Sequence, residues 1–374
     1  MKRNIFFLAL ILAALGCKKS FNYALDQQVS PVATLISPQD SLYVNMAAAT
    51  TGSVEFEWSP AQAADGSLVQ YEIVFDTAGD NFKHPVYSTA SDNTGENTTA
   101  TISYTTLNQI AYLAGIPTLG TGNLYWAVYS TKGLNLVQST QTRMITVTRA
   151  PGFAIIPDSV YLTGSATEAG AGFLPLQFIS SGVFEIYTSL KPGGTYQFTD
   201  RISGTPTTYY LSGSKLLQTG STTYGADTTA QVHFYLNFNN ASASDTIVES
   251  VDVWYGIFDE CTYHLWYNGA STWIDTGQLI QEPVESWGPE ERYKFRYTVN
   301  AGSGDMYDWF GSSNGNNNEP VTGGPASYFY LYYVTNDQWN NEFKFSTPLN
   351  DNVKNTITVF MQPGNPYTHS VVPE

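Results

Sequence analysis

Six of the eight tryptophans fall between Trp254 and Trp339, and this clustering is the clearest chemical signal in the sequence. A flat aromatic ring suits the apolar face of a sugar, where C–H groups lie together and hydroxyls surround the rim. Stacking there contributes burial and dispersion, and amide or cationic side chains orient the ligand through directional hydrogen bonds. Trp273, Trp287, Trp309 and Trp339 are the candidates for such platforms, because each sits in a polar, turn-rich context: Ser271-Thr272-Trp273, Ser286-Trp287-Gly288-Pro289, Asp308-Trp309-Phe310-Gly311 and Asp337-Gln338-Trp339-Asn340. Arg292 and Lys344 are the candidate cationic donors, with Asn268, Asn340 and Asn341 as amide donors. Trp254 and Trp266 lie in strand-like runs, Val251 to Tyr255 and Tyr263 to Tyr267, and are assigned to the core.

Residues suited to catalysis or metal binding do not fall into working patterns. Glu249 and Asp252 are three apart, which places them on opposite faces of an extended strand rather than in one cleft. Glu282 and Glu285 lie near Trp287 with nothing to set them as acid and base. The four histidines, His84, His233, His264 and His369, are isolated from one another and lack ligand-like spacing. Asn314 to Asn318 forms a Gly and Asn-rich loop in which Glu319 is the sole carboxylate, a poor set for calcium. The reading is therefore non-catalytic, with neither cofactor nor metal.

The elements that must hold these residues begin after a processing signal. Met1-Lys2-Arg3 is a basic start, and Ile5 to Leu15 is an apolar stretch of about eleven residues, too short for a spanning helix and apt for a signal peptide. Ala14-Leu15-Gly16-Cys17 resembles the lipobox of bacterial lipoproteins, with Ala14 where Leu is usual. That resemblance implies cleavage after residue 16 and acylation of Cys17, and two or more chains make a stable anchor. Only Cys261 then remains, so no internal disulfide is available. Stability must come from burial, and about 350 mature residues suffice for two or three cores. Charged residues are 13% and aromatics 14%, against about 25% charged in ordinary globular chains. Loss of Lys2 and Arg3 takes the formal charge from −16 to about −18, which repels phosphate backbones and excludes nucleic acid as a partner. Neutral sugars are indifferent to it.

Strand patterning dominates the mature chain. Lys18 to Ser30 reads as a polar tether. Val54 to Trp58 alternates apolar and polar residues, and Val69 to Phe75 follows the Asp65-Gly66 turn signal, giving a hairpin or a sheet corner. Leu124 to Tyr129 and Met144 to Thr148 supply further strands. Leu107, Ile110, Ala111 and Ala114 fall at helical spacing, stopped by Gly115 and Pro117. Trp58 and Trp126 are assigned to the core. Pro151-Gly152 breaks the pattern. The expected layout is all-β: signal 1–16, tether 17–30, an immunoglobulin or fibronectin-III-like sandwich over 31–150, a β-sandwich module over 151–244, and an aromatic-rich β-sandwich carbohydrate-binding module over 245–374, which carries the binding.

Two groups of short motifs support a family resemblance. Phe56-Glu57-Trp58-Ser59-Pro60-Ala61, Tyr71-Glu72-Ile73, Leu107-Asn108 and Tyr125-Trp126-Ala127-Val128 lie in the first domain. Gly164-Ser165-Ala166-Thr167, Gly182-Val183-Phe184-Glu185-Ile186-Tyr187 and Leu190 to Phe198 lie in the second. Together they resemble the SusE-like and SusF-like outer-membrane glycan-binding lipoproteins of Bacteroidetes. The resemblance implies a surface-facing accessory of a polysaccharide uptake system, working beside a SusC/SusD-like transporter complex, with starch-type glucan as ligand. It departs where Glu168 to Phe173 replaces the Gly-Trp platform common in such modules, which points to a spacer role for the first module. The competing reading is a structural or adhesin-like lipoprotein that binds a protein partner.

Overall fold

The computed structural model describes residues 26–49, 51–79, 81–313, 320–321 and 323–374. The signal segment, Cys17, most of the tether and the Asn314–Asn318 loop lie outside the described residues. The chain divides between Ala150 and Pro151 into two units, and among the described residues both are built overwhelmingly of strands. The fold is all-β.

The first unit is a sandwich of two sheets. Leu35–Ser37, Ser53–Trp58 and Thr99–Ser103 form one. The other runs Leu42–Asn45, Arg143–Thr148, Thr121–Lys132, Gln70–Asp76 and Tyr87–Ala90, with Leu42–Asn45 parallel to Arg143–Thr148. Ser53–Trp58 and Gln70–Asp76 thus belong to different sheets, and the Asp65-Gly66 turn joins them as a sheet corner. Period-two alternation turns Val54, Phe56 and Trp58 inward. Trp58 and Trp126 are fully buried, and Phe56 packs edge-on against Phe75 at 5.3 Å and Trp126 at 4.9 Å. The helix at Tyr104–Leu113 is capped by Ser103, which accepts from the Thr106 amide at 3.1 Å. It buries Leu107, Ile110 and Ala111 and stops at Gly115, whose φ is +78°.

The second unit has two cores connected through shared strands. One gathers Leu162, Phe184, Phe198, Phe234 and Phe238, and the other Val251, Tyr255, Tyr293, Phe295 and Tyr297. The boundary expected near Ser244 falls inside the strand Ser242–Tyr255. The first part of that strand pairs with Ala230–Asn237, and its later part pairs with Glu260–Tyr267 and Arg292–Asn300. Glu260–Tyr267 also turns into the facing sheet, where Tyr267 pairs with Trp273 on Thr272–Leu279. Glu168, standing where a Gly-Trp platform is absent, accepts from Thr188 Oγ1 at 2.9 Å, Tyr267 Oη at 2.8 Å and the Ala270 amide at 3.0 Å. This loop of the first module is therefore engaged in joining the two modules.

Candidate functional site

The site grows from one strand, Arg292–Asn300. Its even and odd positions separate by the pleat. Tyr293, Phe295 and Tyr297 enter the core, while Arg292, Lys294 and Arg296 point to the other face. Each of these cations lies over an aromatic ring. Arg292 is 4.5 Å from the centre of Trp339, Lys294 is 5.3 Å from Trp254 and 5.7 Å from Trp309, and Arg296 is 4.7 Å from Tyr307. Cation–π contacts of this kind contribute roughly 0.5–2 kcal/mol each, and they fix the ring planes.

Around Arg292 the partners form a chain. Glu290 takes the guanidinium bidentately, with Nε and Nη2 both donating at 2.5 Å, and the Trp287 indole Nε1 donates to the same carboxylate at 3.2 Å. Burial pushes the Glu290 carboxyl up, but the Arg292 guanidinium outweighs it and holds it below the usual range. Trp287 sits in the turn of a short hairpin, Val284–Glu285 with Gly288–Pro289, and is 65% exposed. Trp339 is 40% exposed and is presented by a turn in which Asp337 accepts from the Trp339 amide at 3.0 Å. That amide, followed by the Asn340 side chain, keeps Asp337 ionised below its ordinary value. Gly311 lets this turn come close, because a Cβ there would lie 2.1 Å from the Asn341 carbonyl oxygen.

Beneath the rings lies a buried polar floor. Lys294 is fully buried, and its ammonium donates to the carbonyl of Asp337. Burial lowers its pKa. Glu342 is 1% exposed, neither of its oxygens has a hydrogen-bond partner, and burial raises its carboxyl to about 8. A Cβ at Gly256 would lie 2.3 Å from Glu342 Oε1, so the absent side chain makes room for the acid. Lys344 pairs with Arg292 in register, but its ammonium is taken by Glu291 at 3.0 Å.

The structure thus brings Trp287, Trp339, Arg292 and Asn340 together, with Trp309 half-buried beside them and Lys344 engaged behind them. Two assignments are corrected. Trp273 is not a platform: it is 3% exposed, paired with Tyr267 and Val359, and packed edge-on against Tyr187, Tyr267 and Tyr297 in the second core. Trp266 is not a core residue: Leu265 points inward, so Trp266 points outward, 68% exposed, with His264 edge-on at 4.4 Å. Trp254 does lie buried, supporting Trp309 at 5.4 Å. Asn268 stands in the turn docked on Glu168, apart from this group. Glu290 and Lys294 escaped sequence reasoning. The only available sign was their alternation with Tyr293 and Phe295, which reads equally as a solvated strand face.

An all-β outer face carrying exposed tryptophans braced by ion pairs defines a class: a sandwich protein with an exposed aromatic surface. Comparison with known proteins narrows it. Residues 20–129 match the family described as SusE outer membrane protein, so the chain is SusE-like in its first unit. No curated protein matches the chain. A crystal structure of SusF from Bacteroides thetaiotaomicron aligns over 92% of this chain and 100% of its own, at 12% identity and a TM-score of 0.26, too low to equate the folds.

Proposed function

We propose that this protein is a non-catalytic, outer-membrane lipoprotein that binds polysaccharide or oligosaccharide as an accessory of a glycan uptake system. In this reading Cys17 carries the lipid, the chain faces the cell surface, and a SusC/SusD-like transporter complex is its neighbour. Starch-type glucan is the favoured ligand on the family likeness. The observation that carries the reading is the pairing of two exposed tryptophans, Trp287 and Trp339, through Glu290 and Arg292 in one braced surface. The rings present apolar faces to C–H groups. Asn340 and the edges of the Glu290–Arg292 pair offer donors and acceptors to hydroxyls. Because Arg292 is neutralised by Glu290, the surface suits an uncharged sugar.

The test is retention of the lipid-free chain, begun at Lys18, in native gels cast with starch, other glucans, mannans or xylans. One polysaccharide should retard it, and Trp339→Ala or Trp287→Ala should weaken that retention about tenfold, the worth of one stacked ring. If none of the polysaccharides retards the wild-type chain, the glycan reading fails and a protein partner takes its place.

A further inference from the structure

The same face continues well beyond the Trp287–Trp339 group. Register places His264, Asp252, Arg296 and Trp309 in one row across four strands, all on the face that bears Arg292 and Lys294. His264 is tied to Asp252 at 2.8 Å, and Trp266 projects beside His264 from the far strand, Glu260–Tyr267. Tyr307, 52% exposed over Arg296, closes the opposite edge. Between the rings lie short polar side chains, with Ser250 donating to Asp252 at 2.6 Å and meeting Thr298 at 3.0 Å.

Trp266 lies three strand spacings from Tyr307, about 14 Å, and the distance from the Arg292 position to the Thr298 position is six residues, about 20 Å. The Trp266 strand is two strand spacings from the Arg292 strand, so the diagonal from the Trp339 group to Trp266 is about 22 Å. A mono- or disaccharide cannot reach from one end to the other. Trp266, 68% exposed, Trp309 and Tyr307 set aromatic rings at intervals along a face whose other side chains include the hydroxyls of Ser250 and Thr298, an alternation that suits the repeating apolar faces and rim hydroxyls of a polysaccharide.

We infer that the outer face is a continuous track for a polysaccharide chain, with Trp266 as a remote stacking position that makes binding depend on chain length. The inference rests on the glycan reading above and names the ligand class within it: long, uncharged polymer segments rather than short oligosaccharides. Along the track Asp252 is hydrogen-bonded to His264, Glu290 is ion-paired with Arg292, and Arg296 is covered by the Tyr307 ring, which suits an uncharged polymer.

The experiment measures binding of the lipid-free chain to trisaccharides and to linear chains of about ten units drawn from α-glucan, mannan and xylan, with their parent polymers. The expected result is tighter binding with length, an approximately tenfold loss for the long chain in Trp266→Ala, and no change for the trisaccharide. Trp339→Ala should lose both. Tyr307→Ala provides a second variant at another exposed position, with the same length-selective loss expected. If Trp266→Ala and Tyr307→Ala both bind long chains as the wild type does while Trp339→Ala loses them, the track is refuted and the local site stands. If the wild type binds no saccharide of any length, the glycan reading falls and the track with it.

Discussion

Glu342 offers a test of the buried floor on which the tryptophans rest. Its carboxyl is 1% exposed with both oxygens unpartnered. The nearest cations are otherwise committed. Arg292 is held bidentately by Glu290 and approaches Glu342 Oε2 only to 3.9 Å, and Lys294 is donated to the Asp337 carbonyl. Desolvation therefore exceeds the attraction of these cations, and the carboxyl stays protonated up to about 8 against 4.5 in the unfolded chain. Below the unfolded value both states are protonated, and the group costs nothing on this account. As pH rises from 4.5 towards 8 the unfolded state releases its proton first, so stability falls through that window and the loss is complete above it. At pH 7 the penalty is about 3 kcal/mol. Glu342→Gln keeps the shape and removes the titration. The variant should be up to about 3 kcal/mol more stable than wild type at neutral pH, a rise of roughly 6–12 °C in Tm for a unit of this size, and the difference should close near pH 4. Urea or thermal unfolding followed by tryptophan fluorescence across that range measures it. A variant less stable than wild type at pH 7 would refute the reasoning, because it would mean that an ionised Glu342 is held profitably by Arg292 and Lys294.

Other outcomes follow from the same contacts. Trp273→Ala should destabilise the second unit by about 3–5 kcal/mol, visible as a lower urea midpoint, while sugar binding at temperatures where the unit stays folded remains as in wild type. Gly311→Ala should displace the Asp337–Asn341 turn, because its new Cβ meets a backbone carbonyl at 2.1 Å rather than a side chain that can swing away. Weaker glycan retention with an unchanged circular dichroism spectrum is the expected reading.

The first unit was largely legible in the sequence because its strands alternate cleanly: Val54, Phe56 and Trp58 announce their own inward face, and Gly115 with Pro117 ends the helix Tyr104–Leu113. The choice between hairpin and corner at Asp65-Gly66 was not legible, since both use the same turn residues. At the site, Trp287 and Trp339 were marked by Gly288-Pro289 and by Asp337 with Asn340, which do form the turns that expose them. Trp273 and Trp266 were read in reverse for one reason. Ser271 and Thr272 look like a solvent-facing flank, yet Ser271 Oγ donates to the buried Tyr187 carbonyl and Thr272 is itself buried. The run around Trp266 looks like core, yet its strand bends from one sheet to the other, and the outward alternate faces solvent. Neighbouring residue types report local polarity, whereas exposure depended on which strands lay alongside.

The strand Ser242–Tyr255 has a mechanical consequence. It is fourteen residues long and laces both cores of the second unit, so no flexible joint separates the face that bears the tryptophans from the module before it. On the proposed glycan-binding reading, a polymer held on that face would pull against the ladders to Ala230–Asn237 and Arg292–Asn300 together, since one strand carries both. On that same reading, tension at this face would reach residues 151–244 through continuous strand rather than through a linker.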